Sequence, residues 1–366
     1  MPDYRFVDLS VDQSLGDLAS AAERMGVDTE FMREKTFFSQ LCLIQVATGS
    51  EIICADPLKL DAADKAAAGS FWKDMMKPLW ILHSGRQDIE VIFQTSGHMP
   101  REIFDTQIAA AFLGYQPQMG YANLVGELFQ VELAKSHTRA DWSRRPLSAD
   151  VLSYAAEDVE YLLPAWELLT ERLTAAGRLE WALEDSADLL DLGLYDPDPA
   201  LAIDRLKGAR NLRGRDRAAA AALAAWRERQ AVRSNRPRQW ILRDQVLIDI
   251  AMSQPESLSG LAKIEGLPES TVRRAGERLL AIVAEATHDQ TGYHPPERPN
   301  ESQKSVLKKM QQIVTACAED LGISAELVAP KKELSAAMQG NTESRVFRGW
   351  RREVLGNDLL ELVKNS

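Results

Sequence analysis

The sequence predicts an α/β domain, a mixed sheet flanked by helices, followed by two all-α helical-bundle domains. Three observations carry that reading. Short apolar runs alternate with helical spacing over the first 150 residues, strand signals stop after about Asp141, and two proline-rich breaks divide the remainder.

The elements follow in chain order. Phe38 to Val46 and Glu51 to Ala55 are apolar runs separated by Ala47-Thr48-Gly49-Ser50, the pattern of two strands joined by a turn. Trp80-Ile81-Leu82 is a further strand, Gly85 follows it, and Asp88 to Phe93 has helical spacing. Ser148 is placed to cap a helix running through Leu163, with Pro164 near its far end. Tyr195-Asp196-Pro197-Asp198-Pro199 cannot continue a helix and reads as a linker. Asn211 to Ala286 is helical, with breaks at Asn235-Arg236-Pro237 and Gln254-Pro255. Thr291 to Asn300 holds three prolines and a glycine, a second linker, and Ser302 to Asn365 is helical again. The expected domains are residues 1–195, 204–290 and 300–366, the last two alike enough in size and pattern to suggest a duplication.

Bulk composition narrows the function classes. With 366 residues, 45% hydrophobic and 27% charged, the chain reads as a soluble globular protein of two or three domains, not a disordered one. Cys42, Cys54 and Cys317 lie far apart without a CxxC pair, which argues against a disulfide framework or zinc cluster and fits a reducing cytoplasm. The polar N-terminus is not a signal peptide. The longest apolar run, Ala218 to Trp226, is too short to span a bilayer, so no membrane association is expected. A net charge of −11 argues against nucleic-acid binding until its distribution is considered. Asp150 to Asp198 holds thirteen acids against two arginines, whereas Asp204 to Asp244 holds twelve Lys or Arg against four acids. Such a basic stretch suits a local phosphate-binding face, and a basic helix pair that is merely solvated fits it too.

Three local patterns can carry chemistry. Asp28 and Glu30, within Val27-Asp28-Thr29-Glu30-Phe31, are two residues apart, so a strand points both to one face. Two carboxylates on one apolar face repel, and a divalent cation between them removes the penalty. In His83-Ser84-Gly85-Arg86-Gln87-Asp88, a strand, a glycine turn and an acid in the first helical turn aim a carboxylate at a sheet edge. Tyr154 and Asp158, four residues apart, lie one above the other on a helix. Each pattern alone also fits an ordinary surface or helix end.

In this order the patterns resemble the DEDD exonucleases of the tyrosine subclass, and specifically ribonuclease D. Leu43-Ile44-Gln45, Asp56-Pro57-Leu58, Asp105-Thr106-Gln107, Asp141-Trp142 and Arg145-Pro146-Leu147 also fall in family order. Ala225-Trp226-Arg227 through Ile282 is similar to the helicase-and-ribonuclease-D C-terminal (HRDC) domain, and Gly349-Trp350-Arg351-Arg352-Glu353 resembles the end of a second one. One departure is Ala22-Glu23-Arg24-Met25-Gly26, which stands where the family carries a longer apolar run.

The resemblance implies a ribonuclease H-like exonuclease domain holding two Mg²⁺ or Mn²⁺ ions on Asp28, Glu30, Asp88 and Asp158. Asp28 would bridge them, Glu30 and Asp158 would complete the water-activating site, and Asp88 would hold the second ion through water. Tyr154 would orient the attacking water. Nucleoside 5′-monophosphates would leave from RNA 3′ ends, with 3′-tailed transfer-RNA precursors as the substrate class. Thr29 and His83, inside the acid-bearing motifs, are candidate RNA contacts, although a neutral imidazole matches a magnesium site poorly. Arg213, Arg215, Arg233, Arg236 and Arg238 are candidate phosphate contacts from charge clustering. A DNA-directed proofreading-type exonuclease and a non-catalytic RNA-binding module are the alternatives. No protein partner is implied.

Overall fold

The computed structural model describes residues 2–12, 14–60, 65–133, 140–286, 300–341 and 343–364. The chain forms two compact units. One comprises Met1–Met32, Leu41–Asp191 and Arg298–Ser366, the other Arg33–Gln40 and Leu192–Glu297.

The first unit is built on a six-stranded sheet in the order β1-β4-β3-β2-β5-β6. Its strands are β1 (Tyr4–Asp8), β2 (Arg24–Met32), β3 (Gln40–Ala47), β4 (Ile52–Asp56), β5 (Leu79–Leu82) and β6 (Glu102–Asp105). The expected strand pair is antiparallel, with Ile44 opposite Ala55. β1 runs parallel to β4, and β5 runs parallel to both β2 and β6, so the sheet is mixed. β2 lies inside the sheet, which shields it on both sides and leaves it little freedom to shift register. At Gly26 the poor apolar start has a packing reason. A Cβ on Gly26 would stand 3.0 Å from Leu162 Cβ, so the helix over the strand leaves no room for a larger side chain.

The helix expected from Ser148 through Leu163 is two helices. Ser148 caps the first, Ala149–Glu160, and a second runs Leu162–Ala175. Tyr161 interrupts them, and its N–H donates to the Tyr121 hydroxyl at 3.0 Å. Pro164 therefore sits in the first turn of the second helix, where an N–H would have no intrahelical partner.

The C-terminal segment shares this unit's core. Met310, Val314 and Trp350 belong to one buried cluster with Ile81, Phe104, Phe112 and Leu162. Trp350 stacks on Trp181 with centroids 4.8 Å apart. Beside it Arg351 makes a two-pronged pair with Asp185, at 2.6 and 2.7 Å, and the Trp350 indole N–H donates to the same carboxylate at 3.0 Å. The Gly349-Trp350-Arg351 motif thus docks onto the helix Leu179–Ala187.

The second unit is helical. Helices Gly214–Ser234, Asp244–Ser253 and Glu269–Glu285 bury Leu223, Trp226, Leu247, Leu279 and Ile282. Both expected breaks are left-handed C-caps, Asn235 and Gln254, each with φ 45°. The Asn235 side chain also accepts from Phe37 N and Phe38 N, at 3.0 Å each. Within the proline-rich stretch, Asp198 caps the short 3₁₀ helix Pro199–Arg205. Residues 291–299 of the second expected linker lie outside the described residues, and Asn300 begins the next helix with a capping box. Among the described residues no helix is long and apolar enough to cross a membrane.

Candidate active site

β2 carries Asp28 and Glu30, and the helix Ala149–Glu160 carries Asp158. One carboxylate oxygen from each of the three falls within 4.8 Å of the others. Asp88 stands in the first turn of the helix Arg86–Ser96, and its Oδ1 accepts from Thr29 N at 3.1 Å and from Thr29 Oγ1 at 2.5 Å. Alternation along β2 explains the division: residues 28 and 30 face one side of the strand, and Thr29 between them reaches Asp88. Thr29, a candidate RNA contact, is buried with its hydroxyl on Asp88.

The electrostatics are those of like charges held together. Among the described residues no lysine or arginine pairs with any of the four acids. Burial, then repulsion from Asp158 and Asp88, pushes Glu30 up to about 8. Burial, then Glu157, pushes Asp158 up to about 7, and burial raises Asp88 to about 6. Asp28 is raised well above the carboxylate range by burial and by the other three acids. The Tyr154 hydroxyl hydrogen-bonds Asp158, and burial followed by that carboxylate's charge raises the phenol. A compact set of hard oxygen donors without a cation of its own fits a divalent metal such as Mg²⁺ or Mn²⁺.

The motif residues around the acids prove to be supports. Asp105 accepts from Ser84 N, Gly85 N, Gln107 N and Ile108 N, so one carboxylate fixes the turn before the Asp88 helix and caps the next. Ser84 takes φ 58°, and a Cβ on Gly85 would lie 2.6 Å from Leu82 Cβ, which only glycine avoids. His83, a second candidate RNA contact, has both ring nitrogens engaged, Nδ1 with Thr106 Oγ1 and Nε2 with Met119 O, each at 2.9 Å. Burial lowers its pKa, and the carbonyl can only accept, so the neutral ring carries its hydrogen on Nε2. Arg145 forks onto Asp56 at 2.5 and 2.8 Å and onto Cys42 O at 2.6 Å.

Tyr121 has no place in the sequence reading. Its buried hydroxyl donates to Glu157 O at 3.3 Å and accepts from Tyr161 N. It thereby ties down the helix end that presents Asp158. A lone tyrosine eight residues after Leu113 carries no periodic or motif signal, so only the fold finds it.

In the helical unit the five candidate arginines divide. Arg238 forks onto Glu228 at 2.5 and 2.6 Å and lies 4.5 Å over the Phe37 ring, so its charge is spent inside the unit. Arg213 donates to the Arg210 and Leu212 carbonyls. Arg215, Arg233 and Arg236 are exposed and have no carboxylate partner among the described residues.

Clustered carboxylates on a mixed sheet with a tyrosine beside them can hold divalent metal, the chemistry that phosphodiester hydrolysis uses. A 3′-5′ exonuclease family model matches residues 12–174, and an HRDC domain model matches residues 216–283. Ribonuclease D of Gluconacetobacter diazotrophicus is 36% identical over 94% of this chain and 90% of its own length. Ribonuclease D of Pseudomonas paraeruginosa is 35% identical over 93% and 92%. The crystal structure of Escherichia coli RNase D, described as an exoribonuclease involved in structured RNA processing, superposes with a TM-score of 0.86 at 31% identity, covering 99% of both chains. The chain belongs to the ribonuclease D family, and it is a 3′→5′ exoribonuclease.

Proposed function

We propose that this enzyme trims the 3′ tails of transfer-RNA precursors and releases nucleoside 5′-monophosphates. The observation that carries the reading is the convergence of Asp28, Glu30 and Asp158, with Asp88 alongside, and with no lysine or arginine paired to them among the described residues. Asp28, Glu30, Asp88 and Asp158 would hold two Mg²⁺ or Mn²⁺ ions. Such ions supply a hydroxide nucleophile at neutral pH and neutralise the phosphoryl oxygens. The chain's own groups position the reactants. Thr29 locks the Asp88 carboxylate, Tyr121 fixes the helix end beside Asp158, and the Tyr154 hydroxyl, next to Asp158, orients the attacking water.

The helical unit supplies affinity through Arg213, Arg215, Arg233 and Arg236, whose phosphate contacts hold the RNA without reading its sequence. The sequence domains 1–195, 204–290 and 300–366 remain the proposed organisation, with the third folded onto the first. Three cysteines that form no disulfide fit work in the reducing cytoplasm.

The test is digestion of a 5′-labelled, 3′-tailed transfer RNA. With Mg²⁺ the tail should shorten to the mature end, and EDTA should stop it. A tail left intact while unstructured RNA is degraded would refute the substrate, and cleavage of circular RNA as fast as linear would refute the exonucleolytic mode.

A further inference from the structure

The helical unit contains a cleft of about 230 Å³ that the phosphate contacts do not explain. Its wall includes Trp226, Arg236, Trp240, Ile241, Thr271 and Arg274. That volume lies below the roughly 300–1,000 Å³ of pockets for drug-sized ligands and suits a single planar ring system. Trp240 is 54% exposed, while Trp226 behind it is 8% exposed. The largest apolar side chain of the protein alphabet is thus left half in water at the mouth of a cleft.

The short helix that carries the indole is anchored. Trp240 belongs to the short helix Arg238–Ile241, and that helix is anchored by the two bonds from Arg238 to buried Glu228. A rigid aromatic surface loses little entropy when a ligand covers it.

The cations around it are poised differently from the structural ones. Arg24, Arg238 and Arg351 lie 4.4, 4.5 and 4.3 Å from the aromatic rings they cover. Arg178 lies 6.0 Å from Trp181, but it also donates to two backbone carbonyls. Arg236 lies 5.7 Å from the Trp240 centroid, is exposed, and has no carboxylate partner among the described residues. Arg274 is likewise exposed, with its Nε donating to Ser270 O at 3.2 Å. The exposed indole shares its cleft with two exposed guanidinium groups, and such a set can take one base by stacking and the flanking phosphates by charge.

We propose that this cleft is a base-stacking site for single-stranded RNA, with Trp240 as the platform and Arg236 and Arg274 on the adjoining phosphates. The proposal deepens the reading of the helical unit as an RNA-binding surface and rests on it. Stacking on an indole accepts any base, so the site adds affinity and register without sequence preference.

The test is fluorescence anisotropy of the full-length protein in EDTA, so that the RNA is not consumed. The probes are a short labelled oligoadenylate and an abasic ribose-phosphate polymer of the same length. Trp240→Ala should weaken oligoadenylate binding about 5- to 150-fold, the loss expected for one base–aromatic stack, with an unchanged salt slope. Trp240→Phe should restore most of the affinity. The abasic polymer should bind both proteins alike. Oligoadenylate affinity equal to wild type in Trp240→Ala, or an equal loss on the abasic polymer, would overturn the stacking site. A collapsed melting transition in Trp240→Ala would make the indole a structural support and overturn it too. Arg215→Ala with Arg233→Ala separates the underlying reading. A flattened salt slope there, beside an unaffected Trp240→Ala, leaves phosphate binding standing and removes only the cleft.

Discussion

Among the acids that the first unit draws out of solvent, two groups treat the charge in opposite ways. Asp185 is 6% exposed and meets a complete set of donors from its own chain: Arg351 in two prongs, Arg345 at 3.2 Å and the Trp350 indole. Asp28, Glu30, Asp88 and Asp158 receive hydrogen bonds from Thr29 and Tyr154 but pair with no cation among the described residues. Burial raises all four, and repulsion within the set adds to it at Asp28, Glu30 and Asp158. A buried charge must be paired, protonated or bound to metal. The Asp185 cluster is closed and structural, and the other is left for something the chain does not supply.

The largest effect should come from removing an acid of the open cluster. Asp28→Asn should bring exonuclease activity to background, while the metal-free protein melts no lower than wild type, because one source of repulsion is gone. Substantial cleavage in a 5′-labelled RNA ladder would take Asp28 out of the site.

The closed cluster should respond in stability. Arg351→Ala leaves buried Asp185 with Arg345 and the Trp350 indole in place of the two-pronged pair and should cost about 3–5 kcal/mol in chemical denaturation. Adding Asp185→Asn should recover part of that loss. A single mutant as stable as wild type would mean the pair contributes nothing and would blur the contrast. For the same reason, a chain ended near Tyr195 lacks both Trp350 and Arg351 and should not be used to isolate the exonuclease.

Tyr154→Phe tests the neutral group at the open cluster. It keeps the ring and loses the hydroxyl on Asp158, so single-turnover cleavage should slow about 10²–10³-fold, by analogy with oxyanion-hole donors, at nearly unchanged RNA affinity. A lower melting temperature with a wild-type rate would mark the tyrosine as packing only. Smaller still is Arg215→Ala with Arg233→Ala. The slope of log affinity against log salt should fall by about one for each phosphate that is no longer neutralised. An unchanged slope would place the RNA elsewhere.

The sequence showed the acids more clearly than their supports. Asp28, Glu30, Asp88, Tyr154 and Asp158 are legible because motif order survives without knowledge of the fold. The mixed sheet was legible in its central strands, whereas β1 and β6, whose sequences YRFVD and EIFD carry charged residues, lack the unbroken apolar run that marks β4 and β5. The break at Tyr161 was missed because its stabilising hydroxyl comes from Tyr121, forty residues away in sequence. Motif position alone makes Thr29 and His83 candidate contacts, and only the fold shows that their hydrogen bonds run to Asp88, Thr106 and Met119. Arg238 counted toward a basic face until Glu228 appeared beneath it. Charge counting cannot see which side chains are already paired.

The most direct test is the melting temperature of metal-free protein against pH, with and without Mn²⁺. Asp88, Asp158 and Glu30 are raised to about 6, about 7 and about 8, above their ordinary values near 4. Through these three groups the folded state holds more protons than the unfolded one between about pH 4 and about pH 8, and they pull stability down as pH rises through that window, against the opposite pull of His83, which burial lowers. Mn²⁺ should reverse the fall in wild type, and in Asp28→Asn both the fall and the rescue should be smaller. A metal-free curve that stays flat or rises over this window, with Mn²⁺ acting equally on both proteins, would contradict the account of an open acidic site built for cations.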